Sequence, residues 1–496
     1  MNKIYDYIIV GSGPSGLVLA WYLSEKNKTV LLVDSAPNIG GCHRVLRVDD
    51  LLTEHGPRVY SDVYLNFINF LKSMNLDFYD LFTPYEFDIS NIGDRTKNSF
   101  HLSEFSSFVY SFIRIIFNEN YGKDISMKDF MNSNSFSNES KEYIDRLCRL
   151  TDGAETSRYT LFQFLQLVNN QVLYKLYQPK LPNDVGLFKI IELKLKETNF
   201  VTILLNSEVV SLTSGSNKNV ISSIIIKDNL TSQTNTYIGT NYILAIPPKP
   251  LHKILLNSST IENAFGTNEY ISKWSQDNSY FDYIPITLHW KEKIKLEKIW
   301  GFPASDWGLA FIILSNYMKF DQLTDYKTVI STCITFTDRK SSVTNKTADE
   351  STKEEIDKEV LRQLRESYPD IPNPDRMITS PQVYYDNIQK KWINIDTAFV
   401  TTINSKQYLP FKSEKYFNLY NCGAQNGMSN YHFTSMETAV VNALNLFNEL
   451  VGENGSSIKI NNDYKKITNY IHIGLIIIIV ILFYYYYSYK IKKYIV

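Results

Sequence analysis

The chain opens on a short apolar run, Ile4-Tyr5-Asp6-Tyr7-Ile8-Ile9-Val10, that passes directly into glycine, the pattern of a buried strand stopped by a turn. Residues 17–25 then read as a helix and 29–33 as a second strand. Strand signals return at 201–205, 220–226 and 242–246, the last stopped by Pro247-Pro248. Between Tyr64 and Leu195 the apolar period changes. Phe67, Phe70, Leu71 and Met74 recur at helical spacing, as do Phe108, Phe112, Ile115 and Ile116, so this stretch predicts an insertion of aromatic-rich helices. The polar run 341–355 predicts an exposed loop leading into a helix over 353–368.

The far end carries a different pattern. Residues 471–489 contain no Asp, Glu, Lys or Arg and centre on Leu475-Ile476-Ile477-Ile478-Ile479-Val480-Ile481-Leu482-Phe483, long enough to cross a bilayer core. Nine such residues favour insertion by roughly 3–5 kcal/mol, with Tyr484 to Tyr487 at an interface and Lys490, Lys492 and Lys493 beyond it. A buried core helix or a β-rich end is the alternative; the terminal position and basic flank favour a membrane. We expect a transmembrane tail anchor over 469–489 behind a polar linker over 452–468, the body facing the cytoplasm, and no cleavable signal ahead of the first strand.

Composition narrows the class. With 496 residues, 44% hydrophobic and 21% charged, the chain suits two or three packed domains and excludes a disordered one. Its 51 basic and 52 acidic side chains leave a net charge of −1, too little to recruit nucleic acid, so any anion site is local. Cys42, Cys148, Cys333 and Cys422 are widely spaced, which indicates neither a disulfide framework nor a zinc site and fits a reducing compartment. No metal site is expected. The aromatic excess, 35 Tyr and 28 Phe, divides between the inserted helices and the tail.

Chemistry enters at Gly11-Ser12-Gly13-Pro14-Ser15-Gly16, which follows the first strand and opens the helix. In that context Gly11 permits the tight turn, Gly13 lets the backbone approach a pyrophosphate, and Gly16 allows close helix-strand packing, while the helix start supplies free N–H donors. Asp34 ends the second strand, where its carboxylate accepts from an adenosine ribose. These residues alone leave NAD and FAD both open.

Further segments separate them. Ala36-Pro37-Asn38-Ile39-Gly40-Gly41, the stretch around Val209, Tyr242 to Pro248, and the closing pair Leu419 to Gln425 and Ser435 to Val440 resemble, in order, segments of the FAD-containing amine oxidase, protoporphyrinogen oxidase and phytoene desaturase superfamily. The resemblance implies an α/β fold: a Rossmann-type FAD-binding domain (1–75, 200–250 and 412–451) interleaved with an α+β substrate domain (76–199 and 251–411), followed by the membrane tail. It implies non-covalent FAD held by Gly11, Gly13, Pro14, Ser15, Gly16, Asp34, Gly41, Arg44, Val209, Gly423, Gln425, Met436 and Glu437.

The chain departs from that family in several places. Arg44 follows the glycine pair only after Cys42-His43; Gln425 stands where a carboxylate is usual; the strand Tyr283 to Trp290 lacks the lysine of monoamine oxidases; Ser435 replaces an aromatic cage residue; and Cys422 is not placed like their FAD-linking cysteine. The segment Leu52 to Tyr60 resembles the strand beside the flavin face, making Glu54, His55 and Arg58 the catalytic candidates. Trp392 to Phe399, with Asp396, reads as substrate-domain core or lining. The expected function is hydride transfer from a lipophilic or amine small-molecule substrate to flavin, with reoxidation by oxygen. The alternatives are a flavin-dependent isomerase like UDP-galactopyranose mutase, which uses a histidine loop in the region of His55, and a non-catalytic FAD-binding membrane protein.

Overall fold

The computed structural model describes residues 3–85, 101–215, 219–277, 279–280, 283–297, 305–320, 324–395, 399–400, 409–426, 434–451 and 457–495. The opening strand, β1 (Ile4–Val10), runs into helix α1 (Pro14–Ser24) and returns as β2 (Val30–Val33). Pro14 at the first helical position starts α1 three residues earlier than its apolar pattern suggests, because proline's fixed φ suits that position and its missing N–H costs nothing there. α1 is buried on nearly every side, held between the sheet and the helix Met436–Val451.

β1 and β2 lie in a seven-stranded sheet with the strands Val201–Leu204, Ser207–Ser214, Ile221–Asp228, Thr234–Leu244 and Leu419–Asn421. The long strand Thr234–Leu244 joins two halves: its start pairs antiparallel with Ile221–Asp228, and its end pairs parallel with β1 and Leu419–Asn421. Sequence patterning captured only the end of this strand, since its first half is polar and exposed. The parallel strands end in step. Val10 pairs with Val33 and Leu244, Val33 with Leu204, and Leu244 with Asn421. Gly11, Asp34, Ala245 and Cys422 therefore emerge along one edge of the sheet, where α/β folds bind ligands.

A second sheet, antiparallel in the order Ala310–Ile313, Thr328–Ile334, Ile284–Trp290 and Arg376–Thr379, packs its own apolar core against the helix Lys353–Ser367. The helices Leu102–Phe117, Met127–Ser133, Asn138–Asp152 and Leu161–Asn169 surround a third, aromatic cluster that includes Phe112, Phe130 and Phe164. Trp392 lies in the strand Lys391–Asn394, packs against the core of the antiparallel sheet and donates Nε1–H to the Ser351 carbonyl at 3.2 Å, whereas Asp396 falls outside the described residues. The polar run ahead of the helix Lys353–Ser367 is less exposed than its composition predicts. Ser341 is buried and donates to Glu359, and Thr352 caps the helix by accepting from the Glu355 N–H.

The tail is one helix, Ile467–Ile495, longer than expected. The segment before it is not a free linker. Asn448 Oδ1 and Nδ2 bond the Ile458 N–H and carbonyl, Asn66 bonds both backbone groups of Asn461, and the Thr468 N–H donates to Asn169 Oδ1 at 2.9 Å. Polar composition looked like a spacer because its asparagine partners lie up to hundreds of residues away in sequence.

Candidate cofactor and substrate cleft

The glycine turn is fixed by contact. Gly11 has φ 102°, and a Cβ there would stand 2.3 Å from the Ala245 carbonyl oxygen. A Cβ on Gly16 would stand 1.9 Å from the Gly11 carbonyl oxygen, so only glycine lets α1 sit this close to the turn. Gly13 is different: its missing side chain faces open space, with only the Gly41 Cα near, at 3.7 Å. No side chain caps α1, so its first N–H groups stay available to an anion. Asp34 is preorganised, accepting from Ser12 N–H and Oγ–H at 2.7 Å each and from Ala36 N–H at 2.9 Å.

Two cavities, each of about 370 Å³, share Gly11, Asp34, Ser35, Ile246 and Pro250. Together they make a long cleft across the strand ends. One end is lined by Val209, Glu208, Lys249 and Lys253. The middle holds Gly13, Pro14, Ser15, Gly41 and Arg44, then Gly423, Gln425, Ser435 and Met436. The far end reaches the antiparallel sheet at Tyr283, Ala310 and Cys333, facing His55, Gly56 and Arg58. A cleft of this shape fits a dinucleotide whose second half lies beyond the pyrophosphate turn. The fit is sharpest at Gly13 and Gly41, whose bare Cα atoms form a cradle that a Cβ on Gly41 would fill, 2.8 Å from Gly13 Cα.

Arg44 borders the cleft and closes the second glycine turn, its Nη1 donating to the Gly41 carbonyl at 3.0 Å. His43 beside it is held well below the usual histidine range by burial and by Arg58, and its Nδ1 lies 3.3 Å from the Tyr60 hydroxyl.

Gln425 explains one departure from the family pattern. Its Nε2–H₂ donates to the Ile246 carbonyl at 2.9 Å and to the Cys422 carbonyl at 3.3 Å, tying together the two chain segments that emerge beside the cleft. A carboxylate has no proton to donate there. Gln425→Glu is therefore expected to lower stability by roughly 1–3 kcal/mol and to weaken cofactor retention, measured by thermal unfolding and bound nucleotide.

Glu437 is corrected. It does not line the cleft; its carboxylate turns away and accepts from the Asn66 N–H at 2.9 Å, Asn66 Nδ2 at 2.7 Å, the Phe67 N–H at 2.9 Å and the Tyr464 hydroxyl at 2.7 Å. It caps the helix Leu65–Ser73 and clasps the segment leading to the tail. Gly16 likewise serves packing rather than lining the cleft.

The catalytic candidates split. His55 and Arg58 line the cleft, and Arg58 Nε and Nη2 are buried without a hydrogen-bond partner among the described residues. Glu54 lies behind them, 5% exposed, with Ser331 Oγ 3.5 Å from its carboxylate. Burial pushes the Glu54 carboxyl up to about 7, against the opposing pull of Arg58 and Ser331. A raised carboxyl holds its proton more tightly folded than unfolded, so its stabilising contribution is full below the ordinary carboxylate range and lost as pH rises to about 7. Glu54→Gln is expected to leave stability unchanged at low pH and to raise it by on the order of 3 kcal/mol above neutrality, read from denaturant unfolding at both pH values.

Sequence patterning did not find Tyr283, Ala310, Cys333 or Leu150 at the substrate end. Tyr283, just ahead of the strand Ile284–Trp290, and Cys333, on the neighbouring strand of the same sheet, come within 4.0 Å of where a Gly56 Cβ would be, and no local motif marks such a meeting. Among the described residues no lysine lines this cavity.

The family model for NAD(P)-binding Rossmann-like domains matches residues 9–74. Putrescine oxidase, solved with putrescine bound, superposes on 91% of this chain and 99% of its own with a TM-score of 0.63 at 14% identity. Cyclohexylamine oxidase from Brevibacterium oxydans superposes on 90% of this chain and 100% of its own, TM-score 0.57 at 11% identity. A putative protoporphyrinogen oxidase from an Exiguobacterium species covers 91% and 100%, TM-score 0.56 at 12% identity. The chain has the fold of the FAD amine oxidase-like superfamily. Curated relatives match over short stretches: UDP-galactopyranose mutase of Mycoplasma genitalium is 38% identical over 73 residues, and ferredoxin–NADP reductase 2 of Listeria monocytogenes is 45% identical over 40 residues. These matches span 18% and 12% of those proteins' lengths.

Proposed function

We propose that the protein is an FAD-dependent oxidoreductase, anchored in a membrane by its C-terminal helix, that oxidises a small apolar substrate and passes the electrons to oxygen. The observation that carries this reading is the single cleft that begins at Val209, crosses the glycine turns and ends between His55, Arg58, Tyr283 and Cys333. FAD, when bound, supplies the two-electron acceptor. The chain's residues do the rest. Gly11, Gly13, Pro14 and Ser15 would hold the pyrophosphate with backbone donors, assisted by Arg44 from the second turn. Asp34 would take the ribose, Val209 would border the adenine, and Gly423, Gln425 and Met436 would flank the far half, where the start of the helix Met436–Val451 favours negative charge. Binding is non-covalent in this reading: Cys422 is fully buried, outside the lining, with its thiol pushed up to about 12 by burial.

Two features bear on the substrate. Among the described residues no carboxylate lines the substrate end to pair with a protonated amine, and the charge on its wall is that of Arg58. The cavity wall also includes Leu167, Val172 and Leu173 from the segment that holds the tail, where the Gln171 amide donates to the Lys465 carbonyl at 3.0 Å. A neutral or acid-bearing lipophilic compound dissolved in the bilayer suits both better than a cationic amine. The helix Ile467–Tyr485 is apolar and almost wholly exposed, which supports the anchor.

The test is anaerobic titration of the full-length protein in detergent with porphyrinogens, polyenes and amines. Bleaching of the flavin by one lipophilic class, followed by recovery in air, supports the reading. Turnover without net oxygen consumption would instead support an isomerase, the class favoured by the local match to UDP-galactopyranose mutase.

A further inference from the structure

A short hydrogen-bonded chain behind the second glycine turn fixes the state of His43. Asn183 Nδ2 lies 3.0 Å from the His43 carbonyl and 3.0 Å from the Tyr60 hydroxyl. A carbonyl only accepts, so the amide nitrogen must face it, and the same NH₂ group then donates to Tyr60 as well. Tyr60 is fully buried, with its hydroxyl 3.3 Å from His43 Nδ1. Its oxygen already accepts from Asn183, so its one proton goes to the Nδ1 lone pair. In the other tautomer Asn183 and Nδ1–H would both donate to Tyr60, and the phenolic proton would be buried with no acceptor among the described residues. Burial, then Arg58 and His55 nearby, disfavour a charge on the ring and keep His43 neutral. The imidazole therefore carries a single proton, on Nε2.

That proton is offered to the cleft. Tyr60 occupies the Nδ1 edge of the ring, which leaves Nε2 as the edge that His43 turns to the cleft it lines. His43 stands two residues past Gly41, whose bare Cα forms the cradle with Gly13. Consecutive Cα atoms are about 3.8 Å apart, so the ring is within a side chain's reach of that cradle. On its other side are Arg58 and His55, which line the same wall and lead to Gly56, beside Tyr283 and Cys333. A dinucleotide extending from the glycine turns toward the antiparallel sheet runs past His43.

We propose that His43 donates its Nε2–H to the ring system of the bound flavin and makes that flavin easier to reduce, with Tyr60 and Asn183 as the positioning residues that keep the proton on Nε2. This rests on the reading of the cleft as an FAD site and goes beyond it by assigning the donor. A hydrogen bond aimed at a group that gains negative charge strengthens as the charge arrives. His43 thus favours the reduced form over the oxidised one without bringing a full charge of its own.

The test is the two-electron midpoint potential of the full-length, FAD-loaded protein in detergent, read against a dye of known potential, with bound FAD measured alongside. His43→Phe is expected to disfavour the reduced form at least tenfold, a fall of about 30 mV. His43→Gln, whose amide still donates, should recover at least half of that fall, and Tyr60→Phe should fall in the same direction by less. Two results overturn the proposal: His43→Phe that holds FAD at the parent potential, or equal falls in His43→Phe and His43→Gln, which would report lost packing in place of a lost donor. Weaker FAD binding at an unchanged potential also overturns it, since the donor would then serve the pyrophosphate. If His43→Phe does not fold, Tyr60→Phe decides alone: a fall supports the proposal and the parent potential overturns it. A parent protein that holds no flavin removes the proposed function together with this inference, whereas flavin at one potential in every variant removes this inference only.

Discussion

Gly16→Ala is expected to weaken retention of the proposed flavin tenfold or more. The added methyl group would lie 1.9 Å from the Gly11 carbonyl oxygen and 3.1 Å from its carbon, both backbone atoms that no rotamer change can move. The turn has no room to give, because Gly11 is itself pressed on the Ala245 carbonyl and held by its N–H to the Val33 carbonyl at 2.7 Å. α1 must therefore retreat from the sheet, which carries the N–H groups at its start away from the pyrophosphate position. Overpacking of this kind costs about 1–3 kcal/mol in stability. The loss of aligned donors costs a further tenfold to hundredfold in cofactor affinity, about 1.4–2.7 kcal/mol. Nucleotide released per chain, with thermal unfolding measured alongside, reads both effects.

Glu437→Ala is expected to be the most destabilising single truncation near the cleft. Glu437 is fully buried, and its two oxygens are the acceptors for two backbone donors at the start of the helix Leu65–Ser73, the Asn66 amide and the Tyr464 hydroxyl. Removing it strands these donors at roughly 1 kcal/mol or more each, so a loss of about 3–5 kcal/mol is expected in denaturant unfolding. Tyr464→Phe removes the hydroxyl that donates to Glu437 and accepts from Asn66 Nδ2 but leaves Asn66 and Phe67 on the carboxylate, so it should cost about 1–2 kcal/mol. The pair discriminates a structural clamp from a cofactor ligand: in Tyr464→Phe the flavin content stays at the parent level.

These two residues also show what was legible in the sequence. Gly16 was, because strand, turn, helix and acidic strand end are contiguous and each position carries a steric or electrostatic requirement of its own. The tail helix was legible from its long run without Asp, Glu, Lys or Arg, and the pair Gly40-Gly41 from its resemblance to the family's segment. Glu437 was misplaced as a cofactor ligand because its partners Asn66 and Phe67 lie 371 and 370 residues away, and nothing in Ser435-Met436-Glu437 says which way the carboxylate turns. The substrate end was legible only on one side. His55 and Arg58 stand in a segment with a recognisable pattern, whereas Tyr283 and Cys333 come to Gly56 from just ahead of one strand and from within its neighbour, where the sequence shows only burial. The segment before the tail looked like a spacer for a related reason, since its order depends on Asn66, Asn169 and Gln171 on the body.

The proposed function requires the cleft to hold a flavin dinucleotide, and the nucleotide released by acid from the purified full-length chain tests that directly. One FAD per chain is predicted. A colourless protein that releases no FAD, after expression with excess riboflavin and with the fold intact by circular dichroism, would contradict the account.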